Sequence, residues 1–166
     1  FRSIMDSGQT LIVNLAKGRL GGDISNILGG LITSSIMQAA FTRHGLPQKV
    51  RRTFFLYVDE FHNLTTQTFS GLLSEARKYG LGLILAHQHL SQTDSAVRDA
   101  VLGNVGSMVI YRVGANDAAF FERVIPPFSA FDLQNQANHR AAVWLMNYGE
   151  RLKPFSASMY PPHHSL

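Results

Sequence analysis

Two adjacent carboxylates, Asp59 and Glu60, follow directly on the apolar run Thr53–Val58 (TFFLYV). A run that is apolar on both faces reads as a central strand of a parallel sheet with helices on either side. Ligands of such sheets bind beyond the carboxyl ends of the strands, which is where this pair stands. An apolar run ending in Asp-Glu is the Walker B arrangement. Its first carboxylate holds magnesium, directly or through water, and its second orients and deprotonates the attacking water. The bland alternative is that Asp59 or Glu60 only caps a helix beginning near His62. Gln88 closes the next apolar run, Leu81–Ala86 (LGLILA), at the same expected edge. A neutral amide there bonds a γ-phosphate or the attacking water without adding charge; taken alone it is also an ordinary polar end to a strand. Arg77 falls near the end of the intervening helix, where it either offsets the helix dipole or reaches a phosphate across a subunit boundary.

Other chemistry has less support. His62, His87 and His89 cluster in sequence, but no carboxylate stands at a familiar ligand spacing, so they read as polar residues at an active edge. There is no cysteine, GxSxG elbow or HExxH pair, which leaves disulfide, thiolate-zinc, protease and serine-hydrolase chemistry without a basis. The glycine turn Gly18–Gly22 occupies the place of a phosphate loop, after an apolar run and before a helix. It lacks the Gly-Lys-Ser/Thr ending, and Lys17 precedes it, so it reads as a turn.

The elements that must position these residues alternate between strand and helix. Thr10–Leu15 (TLIVNL) reads as a buried strand. Asp23 offers an N-cap for a long helix whose apolar face comprises Ile24, Ile27, Leu28, Leu31, Ile32 and Met37, and which Gly45 and Pro47 stop. A helix is expected near Thr66–Tyr79, with Phe69, Leu72, Leu73 and Ala76 inward and Gly80 as its stop. A short helix near Asp94–Leu102, a strand Ser107–Arg112 and a helix near Asn116–Val124 follow, before Pro126-Pro127 ends the alternation. Residues 140–157 read as a terminal hairpin about Tyr148-Gly149. The fold class is therefore α/β, a mostly parallel sheet with flanking helices in a single domain.

With 166 residues, 45% of them hydrophobic and 16% charged, the chain is neither disordered nor too short for a core. Its formal charge of +4 favours acidic partners such as nucleic acid, but the basic residues are scattered and charge alone does not decide. No uninterrupted apolar run approaches the roughly 18 residues of a membrane span, and Phe1–Leu15 lacks the pattern of a signal peptide. The opening at Phe1 is expected to belong to a longer protein.

Four motifs then fall together: LIVNLAKGRLGGD (Leu11–Asp23), YVDEFHNL (Tyr57–Leu64), LLSEARKYGLGLILAHQHLSQ (Leu72–Gln92) and VRDAVLGNVGSMVIYRVGANDA (Val97–Ala118). In this order they resemble the TraG/TraD family, the coupling-protein ATPases of conjugative type IV secretion, relatives of the HerA and FtsK motors. The resemblance implies a RecA-like P-loop NTPase fold from which the Walker A strand and loop are missing, leaving the Walker B half. It implies ATP and Mg2+ as cofactors of the full-length protein. Asp59 resembles the magnesium-holding aspartate, Glu60 the catalytic glutamate, Gln88 the γ-phosphate-sensing glutamine, and Arg77 an arginine finger acting on the neighbouring subunit. DNA, relaxosome and secretion proteins are the implied partners, with a homo-hexameric ring in the full-length protein. The implied location is the cytoplasmic face of the bacterial inner membrane, through an anchor outside these residues. This chain by itself is expected to be inactive and prone to self-association through unpaired strand edges. Two other readings stay open: a soluble HerA-type DNA-processing ATPase, and a nucleotide-free binding module for relaxosome or secretion partners.

Overall fold

The computed structural model describes residues 1–64, 71, 73–90 and 93–161, with the side chains of 63 and 64 excepted. The chain divides into two compact units, Phe1–His87 with Asp94–Asn104, and Gln88–Thr93 with Val105–Leu166.

The first unit contains α1 (Arg2–Ser7), α2 (Lys17–Leu20), α3 (Gly22–Phe41), β1 (Phe54–Val58), β2 (Leu81–Leu85) and α4 (Ser95–Asn104). β1 and β2 pair in parallel, Phe54 opposite Leu81 through Val58 opposite Leu85. A Cβ on Gly82 would lie 2.7 Å from the Phe55 ring opposite it, so the missing side chain makes room for that ring. Met5, Ile36, Met37, Ala40, Val58, Phe61, Ala76 and Leu81 form the core. Residues 73–75 are helical and run into a 3-10 turn, Ala76–Tyr79, ahead of β2. Most of the remainder of the helix expected at Thr66–Tyr79, with Phe69 and Leu72, lies outside the described residues.

Three expectations change in this unit. Thr10–Leu15 forms no strand: it has no ladder partner, and Ile12 is 87% exposed. β-branched apolar residues favour a strand only when a neighbouring edge takes up their backbone groups. β1 is covered on one face alone, since Phe55 and Tyr57 are exposed while Val58 is buried. The buried stripe of α3 is Ser25, Gly29, Thr33, Ile36, Met37 and Ala40, whereas Ile24, Ile27, Leu28 and Leu31 are exposed. Small residues let the helix approach its neighbours closely, and the buried Ser25 hydroxyl is satisfied by donating to Gly21 O at 2.9 Å. Gly22 to Gly45 is also long and apolar enough to cross a membrane, by length and composition.

The lower end of this unit is tied by Arg43, which is fully buried. Its Nε donates to Asp6 Oδ1 at 3.0 Å, and its Nη1 donates to the carbonyls of Arg52 at 2.9 Å and Tyr79 at 3.2 Å. Nη2 lies 2.9 Å from Asp6 Oδ1 as an ion-pair contact, outside hydrogen-bond geometry. One guanidinium thus joins α1, the turn after α3 and the starts of β1 and β2. The hydrogen bond from Arg2, together with Arg43, holds the Asp6 carboxyl below its ordinary 3.8, against the opposing effect of burial. The sign follows from the depressed value: this contribution to stability is complete above the unfolded pKa and is lost as pH falls through the folded one.

The second unit contains β3 (Met108–Ile110), α5 (Ala115–Val124), α6 (Ala130–Gln134), β4 (Arg140–Trp144), β5 (Met146–Asn147), β6 (Glu150–Arg151) and β7 (Phe155–Ser158). β4 lies between β3 and β7, antiparallel to both, and its Ala141, Ala142 and Val143 are buried. β5 and β6 pair across Tyr148 and Gly149, both with positive φ, 46° and 87°, the backbone of a two-residue hairpin turn. α6 begins with a capping box in which the Ser129 hydroxyl accepts from Asp132 N–H and the Asp132 carboxylate accepts from Ser129 N–H. Among the described residues the expectation of a mostly parallel sheet is therefore met by β1 and β2 alone, and the other pairings are antiparallel. β3 and β4 are joined through α5 and α6 without the crossover that would make them parallel, and β4 to β7 return through a hairpin. The α/β class stands.

Candidate functional site

Asp59 and Glu60 occupy the turn that leaves β1 at its carboxyl end. Val58 before them is 5% exposed and Phe61 after them 2%, so two apolar anchors hold the turn in the core and present the carboxylates outward. Backbone bonds fix the same point to the end of β2: Ala86 N–H donates to Val58 O at 2.9 Å, and Phe61 N–H donates to Ala86 O at 3.2 Å. The Phe61 ring meets His87 edge-on, with centroids 4.8 Å apart. Glu60 itself has φ 49°, in the left-handed region where a non-glycine residue is strained. Its N–H donates to Asp59 Oδ1 at 3.0 Å, and its Oε2 lies 3.4 Å from His62 Nδ1. The helical segment that follows is a short 3-10 turn, Phe61–Leu64.

This arrangement suits a magnesium ion. Magnesium takes hard oxygen donors, commonly one or two carboxylates with water completing the shell. Asp59 is exposed, and Glu60 is partly so with 29% of its side chain accessible. A triphosphate cradle is another matter. Lys17–Leu20 is a helical turn, Gly21 links it to α3, and a Cβ at Gly18, Gly21 or Gly22 would meet no atom within 4 Å. Gly18–Gly22 thus follows no strand and begins in a helical turn, unlike the strand-to-helix loop whose backbone N–H groups surround a phosphate. Asp59 and Glu60 also line a groove of about 720 Å³ within the first unit, bordered by β1, α3 and the segment from Gly8 to Lys17.

Arg77 is exposed in the 3-10 turn ahead of β2. Because β1 and β2 run parallel, that turn is at the amino end of the strands, about 16 Å of strand away from Asp59. Arg77 is therefore not part of the Asp59–Glu60 cluster in its own chain. Gln88 stands three residues beyond β2, in a bend of the second unit. The strand that leads to it is the parallel neighbour of the strand that leads to Asp59.

Sequence reasoning missed the left-handed Glu60, because glutamate carries no sign of such a backbone. It also missed Asp117, a buried residue of α5 whose carboxylate accepts Leu90 N–H at 3.0 Å. An Asp early in a helix ordinarily reads as a dipole partner.

Residues 53–124, which hold all four candidate residues, match the family model described as the TraM recognition site of TraD and TraG. These residues are of the TraG/TraD type. The structure of the chain is similar to that of the bacterial conjugative coupling protein TrwB in an unbound form, with a TM-score of 0.63 and 16% identity, over 80% of this chain and 37% of that one. It is similar at TM-score 0.62 and 16% identity to plasmid coupling protein TrwB in complex with the non-hydrolysable GTP analogue GDPNP, over 78% and 36%. The genome packaging NTPase B204 of Sulfolobus turreted icosahedral virus 2, in complex with ATP-gammaS, gives 0.54 at 16% identity, over 76% and 62%. This chain thus spans a little over a third of the TrwB chain. At that identity the likeness is one of fold. No curated protein sequence matches the chain.

Proposed function

We propose that this chain is the magnesium-and-water side, the Walker B half, of a nucleotide-driven motor that moves DNA in conjugation. The observation that carries this reading is the Asp59–Glu60 turn: two carboxylates at the carboxyl end of a parallel strand pair, pinned by buried Val58 and Phe61, with Glu60 held in a strained backbone. The parallel pair is taken as part of a RecA-like sheet that is completed by a Walker A strand and loop elsewhere. Support comes from the TraG/TraD match and from the likeness in fold to TrwB and B204, both of which are described in complex with nucleotide analogues.

In this reading Asp59 holds Mg2+, which when bound offsets charge on the phosphate oxygens of ATP. Glu60 orients the attacking water and takes its proton, with His62 beside its carboxylate. Gln88 reports the γ-phosphate. Arg77, remote from Asp59 in its own chain, serves the nucleotide of a neighbouring subunit in a homo-hexameric ring. DNA, relaxosome components and type IV secretion proteins are the partners, at the cytoplasmic face of the bacterial inner membrane. Among the described residues β1 and β2 pair only with each other, and their outer edges make the chain alone prone to self-association. The likeness to B204, a genome packaging NTPase, favours a second reading: a soluble HerA-type DNA-processing motor with the same site and no secretion partner.

ATP hydrolysis by the full-length protein tests the arrangement. Arg77→Ala and Glu60→Gln should each lose turnover alone. Mixed in equal amounts, they should regain activity at about one interface in four, by random assortment around a ring. Normal turnover by Arg77→Ala would return Arg77 to a helix-dipole role.

A further inference from the structure

Asp117, in the first turn of α5, is 8% exposed and makes no cap to its own helix. Its Oδ2 instead accepts the backbone N–H of Leu90, 27 positions earlier in the chain, at 3.0 Å in a buried setting. Leu90 is 7% exposed, and its carbonyl accepts Thr93 N–H at 3.0 Å, with Thr93 also 7% exposed. A charged acceptor in a buried setting makes a stronger and more directional bond than a neutral one. The backbone two residues beyond Gln88 is thus clamped to α5 by a carboxylate. An Asp that merely complemented the helix dipole would need neither burial nor a distant partner.

We propose that Asp117 is a positioning residue for Gln88. By holding the Leu90 amide it fixes the backbone from which the Gln88 side chain is presented to the γ-phosphate or the attacking water. Asp117 touches neither of these and acts through Leu90. This inference rests on the role given to Gln88 above.

Two substitutions test it, Asp117→Ala, which removes the acceptor, and Asp117→Asn, which keeps an uncharged one. Leu90 N–H should exchange with solvent at least about ten-fold faster in Asp117→Ala, with Asp117→Asn in between. In the full-length protein, Asp117→Ala should lower kcat for ATP by about ten-fold or more with KM within about two-fold, and Asp117→Asn should recover part of the rate. A purely structural role would lower the melting temperature without this split between kcat and KM. Should Asp117→Ala not fold, Asp117→Asn carries the test by the same two readouts. Unchanged Leu90 exchange overturns the inference, as does an unchanged kcat with faster exchange. Loss of turnover in Glu60→Gln and Gln88→Ala beside a normal rate in Asp117→Ala overturns it alone. A normal rate in Glu60→Gln overturns the nucleotide reading, and the role of Asp117 with it.

Discussion

Glu60→Gln in the full-length protein is expected to bind Mg-ATP within about two-fold of the wild type and to turn it over at least about 100-fold more slowly, the usual contribution of a positioned general base. Glutamine has nearly the same shape as glutamate, so the turn between Val58 and Phe61 and its bonds to Ala86 remain. What it lacks is the capacity to take a proton from water. The left-handed backbone at Glu60 strengthens the expectation, because strain of this kind persists only where the surroundings enforce it. Binding is measured by calorimetry and turnover by phosphate release. If Glu60 only started a helix, the substitution would leave turnover intact.

Arg43→Met is expected to lower the stability of this chain by about 3 kcal/mol, toward the lower end of the cost of breaking a buried ion pair. The lower end applies because the Asp6 side chain keeps 39% of its surface accessible and rehydrates when the guanidinium goes. The carbonyls of Arg52 and Tyr79 lose a buried donor and supply much of the cost. For a chain of this size the melting temperature should fall by about 6–12 °C. Arg43→Lys, which keeps the charge but not the fork, should lose about half as much. Thermal unfolding with both variants measures this, and a change of less than about 1 kcal/mol in Arg43→Met would mean that the network is incidental.

The sequence disclosed local features better than long-range pairings. Apolar runs before Asp59 and Gln88 announced β1 and β2, and the turn signals about Gly80 and Pro126 mark real ends of elements. These signals lie within a few residues of what they determine. Thr10–Leu15 shows the limit: its composition demands a strand, but a strand also needs an edge to pair with, and none takes it up here. The α3 face misled for a related reason. Hydrophobicity selected Ile24, Ile27 and Leu31, whereas packing selected the small residues Ser25, Gly29 and Thr33. Arg43 and Asp117 were illegible, since a charged residue signals burial only through partners 37 and 27 positions away. At the site, the position of Asp59–Glu60 just after an apolar strand was legible, while the left-handed backbone at Glu60 and its contact with His62 depend on the folded turn.

In the proposed reading, this chain supplies the magnesium and water side of a nucleotide site but not its phosphate cradle. Thermal unfolding in millimolar Mg-ATP tests it most directly, with the full-length protein, its Asp59→Ala variant and residues 1–166 alone compared. The expected result is a nucleotide shift in the full-length protein that depends on magnesium, loss of that magnesium dependence in Asp59→Ala, and no shift for residues 1–166 alone. A site with a Kd of about 10 μM would add roughly 2.7 kcal/mol at that concentration and could not be missed. Such a shift in the isolated chain would overturn that reading and place a phosphate site in this chain, with the turn Gly18–Gly22 as its first candidate.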